Sequence, residues 1–142
     1  EIVGVTQDVT RRREAEAALI RSRERFRGLV DSTDAVFYER DADTGNFVYV
    51  SARAGQLLGE PVEAWHADGY WAARLHPDDR RAAEAFVATA IDGGDGLRME
   101  YRLLHANGDV VWVDDRTSAT RDPGGAVHLR GVMIDVTARK DA

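Results

Sequence analysis

The chain has 142 residues, of which 44% are hydrophobic, so it can bury the core of one domain. Its net charge of −6 argues against a general nucleic-acid binder, because contact with phosphates requires a positively charged surface. It has no cysteine, which excludes disulfide bonds, thiolate metal sites and covalent cysteine chemistry. No apolar run approaches the roughly 20 residues that span a bilayer, so we expect no membrane insertion by this segment and a cytoplasmic location.

The first 30 residues predict a short strand followed by a polar helix. Residues 1–9 are β-like, Thr10 is a candidate N-cap, and residues 11–30 are rich in Ala, Arg and Glu. Small and apolar residues recur in this helix with heptad spacing and form a seam. The seam residues are Ala15, Leu19, Ser22, Phe26 and Leu29. The pattern fits either an amphipathic helix that packs on its own domain or a parallel homodimer helix, and the small seam residues favour the dimer.

A hairpin and several short helices are predicted next. Strands are expected at 35–39 and 46–50, joined by a turn at 41–45 that contains Asp, Thr and Gly. A short helix is expected over 51–59, because Gly59 suits the end of a helix. The following residues are too interrupted for one long helix and predict short helical turns.

One longer helix is predicted before the last third of the chain. Pro77 suits its first position, and Asp78 and Asp79 place negative charge at its positive end. An apolar stripe continues to Ile91, and the Gly-Gly pair at 93–94 ends the helix.

The last third predicts three consecutive antiparallel strands. Residues 97–103 alternate between apolar and charged side chains, and Asn107-Gly108 is the strongest short hairpin signal in the chain. Two further strands are expected at 110–120 and 127–136. The sequence leaves the hairpin register open, so either Trp112 or Val113 faces the core.

The acidic residues form no converging catalytic set, so we do not expect an enzyme. Asp78 and Asp79 are expected to be structural. Asp114 and Asp115 are neighbours on a strand and point to opposite faces, so one of them faces the helices or a pocket, with Arg116 as a candidate partner. A small enzyme that uses Asp114 or Asp115 with His128 is the weakest alternative.

The four histidines do not have the spacing of a metal site. His76 precedes a helix and is expected to be structural, whereas His105 and His128 fall in strand or hairpin positions and are expected to be exposed. His66 is the only candidate for an axial haem ligand.

The order of two strands, several short helices, one longer helix and three long strands resembles a PAS domain over about residues 24–137. The motifs that carry the resemblance are Asp43-Thr-Gly45, Leu58-Gly59, Trp71 with Leu75-His-Pro-Asp-Asp-Arg80, Glu100-Tyr-Arg102 with Asn107-Gly108 and Trp112, Arg121-Asp-Pro-Gly-Gly125 and Gly131-Val-Met-Ile-Asp135-Val-Thr137. The resemblance implies an α+β PAS fold, with a five-stranded antiparallel sheet and helices on one face. It also implies a sensory module of bacterial signalling proteins such as sensor histidine kinases or diguanylate cyclases.

The Asp-Val-Thr ending occurs twice, which implies parts of two similar domains in a fragment of a longer protein. The expected divisions are 1–10, the last strand of a preceding PAS-like domain; 11–30, a linker helix; 31–137, the PAS domain; and 138–142, the start of an output helix. In the family such endings join the last strand to an output helix. The residues expected to transmit a signal at these corners are Asp8, Thr10, Asp135 and Thr137. The alternative is that they only cap a helix.

The resemblance also implies a pocket between the longer helix and the sheet. Its expected lining is Phe86, Val87, Ile91, Met99, Tyr101, Leu103, Leu129 and Met133. These residues suit a small hydrophobic ligand, or they fill the core completely. Flavin photochemistry in the light-sensing relatives needs a cysteine, and Met133 stands where they carry a glutamine. Haem-binding relatives place a ligand in the long helix, where this chain has no histidine, so neither flavin nor haem is expected.

Two interpretations follow. In the first, the chain is a sensory relay that forms a homodimer and passes a conformational change to neighbouring PAS and output domains of the same protein. In the second, it is a binding module whose resident hydrophobic molecule, haem or flavin provides the signal. Nucleic acid is not an expected partner in either interpretation.

Overall fold

The structure is a computed structural model that describes residues 2–31, 34–93 and 96–141, with side chains for residues 9–25, 34–93 and 96–141. The chain divides into two compact units, residues 1–33 and residues 34–142. Among the described residues, no helix is both long and apolar enough to cross a membrane.

The first unit contains one continuous helix, α1, from Ile2 to Asp31. The strand predicted at residues 1–9 is therefore wrong. A strand needs a neighbouring strand for its backbone hydrogen bonds, whereas a helix satisfies them within its own segment. Thr10 lies inside α1 and does not begin it, so residues 8–10 form no strand-to-helix corner in this structure. The origin of this segment in a preceding PAS-like domain stays a prediction.

Three of the predicted seam residues have described side chains. Ala15, Leu19 and Ser22 are exposed on α1. The side chains of Phe26 and Leu29, and that of the predicted corner residue Asp8, lie outside the described residues.

The second unit is built on five antiparallel strands, which confirms the predicted fold class. They are β1 (Ala35–Asp41), β2 (Phe47–Val50), β3 (Leu97–Leu104), β4 (Val110–Arg121) and β5 (Val127–Asp135). Their order in the sheet is β2-β1-β5-β4-β3. The start of β1 pairs with the end of β5, Ala35 with Ile134, so the entry and the exit of this unit are adjacent.

The helices lie between β2 and β3 and after β5. They are α2 (Ala54–Leu57), α3 (Tyr70–Arg74), α4 (Arg80–Ile91) and α5 (Thr137–Asp141), with 3₁₀ turns at Val62–His66 and Pro77–Asp79. The helix predicted from Pro77 begins as a 3₁₀ turn, in which His76 Nδ1 accepts a hydrogen bond from Asp78 N at 3.1 Å. His76 is thus structural, as predicted.

Asp79 fixes the start of α4 to β3. Its carboxylate accepts hydrogen bonds from Arg102 N at 2.8 Å, Arg102 Nε at 2.9 Å and Arg102 Nη2 at 2.8 Å. These hydrogen bonds hold the pKa of Asp79 below its ordinary value. The expected interaction with the helix end is therefore accompanied by an ion pair that the sequence pattern does not reveal.

The β3–β4 register decides which residue faces the core. Tyr101 pairs with Val113, and Arg102 pairs with Trp112. Val113 is fully buried, whereas Trp112 lies on the opposite face with the Arg102 guanidinium 5.1 Å from its ring centroid. Val113 is therefore the core residue.

Candidate functional site

A polar network lies inside the core of the second unit. Asp115 on β4 has no exposed surface. Its two carboxylate oxygens accept hydrogen bonds from Tyr38 Oη on β1 and Tyr101 Oη on β3, each at 2.6 Å. The Tyr101 hydroxyl accepts a hydrogen bond from Trp71 Nε1 on α3 at 3.0 Å. We call these four residues the core carboxyl network. Its hydrogen bonds replace those that water would give to the carboxylate.

The sheet register brings the network together. Alternation along β4 directs Val113, Asp115 and Thr117 to the core face. Tyr38 lies on β1, and β5 separates β1 from β4. The Tyr38 side chain reaches Asp115 by passing over Gly131 of β5, where a Cβ atom would collide with the Tyr38 hydroxyl. Gly131 is therefore a requirement of the network.

A buried cation accompanies the network. Arg40 on β1 is only 3% exposed. Its Cζ atom lies 4.3 Å from the ring centroid of Trp71 and 5.1 Å from that of Phe47, and its Nε donates to Gly45 O at 2.9 Å. The aromatic faces and the carbonyl stabilise the guanidinium where water cannot reach it.

Burial sets the ionisation of the core carboxyl network. Desolvation raises the pKa of Asp115 to about 6, although the hydroxyls of Tyr101 and Tyr38 and the charge of Arg40 act in the opposite direction. Burial and the Asp115 charge raise the pKa of both tyrosines well above its ordinary value, so both hydroxyls keep their protons. Asp115 is therefore the group of this network that changes charge near neutral pH.

A second candidate site lies where β5 ends and α5 begins. Asp135 Oδ1 accepts a hydrogen bond from Thr137 N at 2.9 Å, and Thr137 Oγ1 accepts one from Trp112 N of β4 at 2.9 Å. Val136 N donates to Trp112 O at 2.9 Å. We call residues 135–137 the exit corner. Its side chains connect the start of α5 to the end of β5 and to β4.

Glu100 on β3 adds charged contacts to α5. Its Oε2 lies 2.9 Å from Arg139 Nη2 and 3.1 Å from Lys140 Nζ. The hydrogen bonds from Arg139 and Lys140 hold the pKa of Glu100 below its ordinary value. The Lys140 ammonium also lies 4.8 Å from the ring centroid of Trp112. Two strands of the sheet therefore hold the first turn of α5.

The match to a known protein family lies entirely within the second unit of the chain. The family model described as PAS fold matches residues 47–133, which is more than half of the chain. The chain belongs to the PAS family.

The matched relatives include signalling proteins. The two-component sensor PprA of Pseudomonas aeruginosa is 32% identical over 139 residues, covering 94% of this chain and 15% of that protein. The N-terminal domain of a diguanylate cyclase with PAS/PAC sensor from Marinobacter aquaeolei has a TM-score of 0.67 at 31% identity, covering 75% of this chain and 98% of that chain. A sensory box histidine kinase/response regulator from Burkholderia thailandensis has a TM-score of 0.65 at 27% identity, covering 82% and 88%.

The chain spans only 15–17% of the length of the first curated relatives that it matches. It is thus similar to one module of these longer proteins. A PAS sensory domain is itself non-catalytic, although such domains occur within signalling enzymes.

The residues predicted to line the PAS pocket are either buried or half-buried. Tyr101, Leu103, Leu129 and Met133 are fully buried or nearly so. Phe86, Val87, Ile91 and Met99 are half-buried. Ile91 lines a hollow of about 130 Å³ at the end of α4, together with residues of β4 and β5. Tyr101 uses its hydroxyl within the core carboxyl network and does not present it to open space.

The paired acids on β4 point to opposite faces, as predicted. Asp115 faces the core, whereas Asp114 faces the other side of the sheet and is nevertheless buried. Asp114 Oδ2 lies 2.8 Å from Arg98 Nη2 and 3.6 Å from Arg116 Nη2. The candidate partner Arg116 therefore belongs to Asp114.

The other histidines have structural contacts in this PAS domain. The exposed His66 lies with Nδ1 2.9 Å from Phe47 O. His105 and His128 are half-buried, which corrects their expected exposure. The His105 ring packs where a Cβ of Gly59 would lie, and His128 Nε2 is 3.2 Å from Asp122 Oδ2. Within the described residues, no group of three or more His, Cys, Asp or Glu could hold a metal ion.

Sequence reasoning missed Tyr38, Arg40, Glu100 and Gly131 as site residues. A polar residue at an inward-facing strand position is a usable signal. Tyr38 and Arg40 follow the apolar Val36 at the spacing of one strand face, and the structure buries all three. Glu100 and Gly131 have no such signal, since their roles depend on partners from other elements.

Titration of Asp115 should make the stability of the domain depend on pH. In the unfolded chain this carboxyl titrates near 3.8, so between about pH 4 and pH 6 the folded state binds more protons. The free energy of unfolding should therefore fall as the pH rises through this window, by up to about 3 kcal/mol. Asp115→Asn should remove this fall. Urea denaturation of both proteins across the window measures the difference, and equal slopes would contradict the assignment.

Gly131→Ala should destabilise the domain by about 1–3 kcal/mol, because its Cβ would collide both with the Tyr38 side chain and with the backbone carbonyl oxygen of Arg116. Gly55→Ala is the matched control, since a Cβ there makes ordinary contacts of 3.6 and 3.7 Å. Denaturant unfolding of the two variants tests the requirement. A Gly131→Ala protein as stable as the Gly55→Ala protein would show that the close approach of Tyr38 is unimportant.

Proposed function

We propose that this PAS domain is a sensory relay in a longer signal-transduction protein, a sensor histidine kinase or a diguanylate cyclase, and that it transmits a conformational change through the exit corner. The observation that carries the proposal is the attachment of α5 to the sheet. The proposal is supported by the relatives, which include a two-component sensor and a diguanylate cyclase. It includes the cytoplasmic location that the sequence predicts.

The exit corner can convert a sheet movement into a helix movement. The first turn of α5 is held by Thr137 to β4 and by Arg139 and Lys140 to Glu100 of β3. A shift of β3 against β4 cannot preserve both attachments without a rotation of α5. A longer helix that continued from α5 would carry this rotation to the next domain. In this proposal the helix cap at Asp135 takes part in transmitting the movement, so capping and signal transmission are not alternatives.

The core carboxyl network provides a route from the interior to the exit corner. Tyr101 and Glu100 are consecutive on β3, so their side chains point to opposite faces of the sheet. Tyr101 binds Asp115 inside, and Glu100 binds α5 outside. A rearrangement of Asp115 therefore acts on the same strand that holds α5.

The proposal also includes a parallel homodimer through the seam of α1. Leu19 is 51% exposed, and Ala15 and Ser22 are exposed with it. An exposed leucine flanked at heptad spacing by small residues suits close packing against an identical helix. The other partners in this proposal are the neighbouring PAS and output domains of the same chain.

Asp135→Ala should change the output of the longer protein without unfolding the domain. Loss of the hydrogen bond to Thr137 N removes a cap worth about 1 kcal/mol, which is about fivefold in a two-state equilibrium. The measurement is the activity of the domain that follows, with circular dichroism as the check of folding. Asp141→Ala is the control, because Asp141 is exposed at the far end of α5. Unaltered output in a folded Asp135→Ala protein would contradict signal transmission through the exit corner.

Leu19→Glu should convert the dimer to a monomer, because like charges would face each other across the seam. Ile20→Glu is the matched control: Ile20 is 54% exposed and adjacent, but it lies outside the seam. Native mass spectrometry of both variants gives the oligomeric state, and it also weighs any bound ligand. If Leu19→Glu stays dimeric, the seam is not the interface.

A further inference from the structure

The hydrogen bonds of the core carboxyl network have a fixed direction at one end. Trp71 Nε1 is a donor only, so the Tyr101 oxygen must accept from it. The Tyr101 hydrogen is then directed to Asp115 Oδ2. An ionised Asp115 accepts only, and the Tyr38 hydroxyl must donate to its Oδ1.

A proton added to Asp115 must find an acceptor. On Oδ2 it would face Tyr101, whose oxygen already accepts from Trp71 and whose own hydrogen would lose its acceptor. Such an unpaired buried hydrogen is costly. Oδ2 is therefore the unfavourable position for the proton.

The other oxygen has a partner that can reverse. Tyr38 Oη lies against Gly131, and the residue paired with Gly131 on β4 is Thr117. Burial chiefly raises the pKa of Tyr38, and a side-chain hydrogen bond with Thr117 opposes that rise. Thr117 Oγ1 donates to Arg130 O at 3.4 Å. If Oδ1 carries the proton, it donates to Tyr38, and the Tyr38 hydroxyl rotates to donate to Thr117. Every hydrogen in this series of hydrogen bonds then has an acceptor, and the series ends at a backbone carbonyl of β5.

We propose that this PAS domain binds a proton from solvent at Asp115 Oδ1, and that proton uptake reverses the Tyr38 hydroxyl so that it donates to Thr117. No bond other than the carboxyl O–H forms. In the sensory relay proposed above, on which this part of the inference rests, the proton is the stimulus. The reversal changes the hydrogen bonds that link β1, β4 and β5.

The groups around Asp115 have opposite effects on its ionisation. Arg40 and Tyr38 from β1 and Tyr101 from β3 favour the carboxylate, whereas Asp114 on the same strand, facing the other side, disfavours it. The facing residues on β5 are Met133, which pairs with Asp115, and Gly131, and the residue of α4 in the core is Ala83, none of which titrates. From α3, Trp71 acts only through Tyr101. Burial outweighs the groups that favour the carboxylate and raises the pKa of Asp115 to about 6.

The test is a titration of the 142-residue chain by carboxyl ¹³C NMR, with Asp115→Asn to assign the signal. Asp115 should titrate with a midpoint near 6. Thr117→Val should move the midpoint down by about 0.5–1 pH unit, because the protonated form loses the acceptor for the Tyr38 hydrogen. Thr120→Val is the matched control: Thr120 Oγ1 also donates to a β5 carbonyl at 3.4 Å, but it lies outside the network.

The rescue variant is Thr117→Ser, which keeps the hydroxyl and should restore the parent midpoint. If the Thr117→Val protein does not fold, Thr117→Ala replaces it, and the same lowering of the Asp115 midpoint is expected. An Asp115 signal that does not titrate between about pH 5 and pH 7 overturns the proton site. A midpoint in the Thr117 variants that equals that of Thr120→Val, or exceeds it, overturns the reversal of Tyr38. Neither result affects the output test of Asp135→Ala, and an unchanged output there leaves the titration intact.

Discussion

The architecture of this PAS domain depends on a carboxylate that has no access to water. Asp115 must obtain its hydrogen bonds from the protein, and it obtains them from tyrosines on two strands that are not neighbours of each other. This need explains Gly131, since Tyr38 reaches Asp115 only by crossing β5 at a position without a side chain. A hydrophobic residue at position 115 would remove the need for this arrangement. The network therefore specifies how β1, β3 and β4 are placed relative to one another.

The same two strands, β3 and β4, contribute to the core carboxyl network and hold the exit corner and α5. On β3, Tyr101 faces the core and Glu100 faces α5. On β4, Asp115 faces the core, and Trp112 contacts the exit corner through its backbone and Lys140 through its ring. Alternation of side chains along a strand places an interior group and an exterior group on one rigid segment. In the proposed relay, this arrangement carries an interior change to the surface without opening the core.

Local signals were sufficient for most of the fold. The Asn107-Gly108 turn, the alternating strands and the helix start at Pro77 depend on neighbours in sequence, and each was predicted close to its observed position. The helix predicted over residues 11–30 is present, but its start was predicted wrongly, because residues 1–9 have the composition of a strand and no described partner strand. Composition indicates a preference, whereas a strand requires a neighbour.

The candidate site was less accessible from the sequence for a related reason. Alternation placed Asp114 and Asp115 on opposite faces, yet only the register with β3 shows that both are buried. Arg98 encloses Asp114 from the neighbouring strand β3, whereas Asp115 also depends on Tyr38 of β1, 77 residues away in the sequence. The sequence marks Glu100 only as part of a family motif, because its partners on α5 are about 40 residues away.

Arg40 gives the charge of Asp115 a consequence beyond the network. When Asp115 is ionised, the buried guanidinium and the buried carboxylate attract each other across the core. When Asp115 is neutral, the aromatic faces of Phe47 and Trp71 and the carbonyl of Gly45 must stabilise the cation without that attraction. Gly45 belongs to the β1–β2 turn, and Trp71 belongs to α3. A change of one charge at Asp115 therefore alters the force on both elements that the Arg40 guanidinium contacts. The interior carboxyl is thus coupled electrostatically to the hairpin and to the helices, and by hydrogen bonds to the strands.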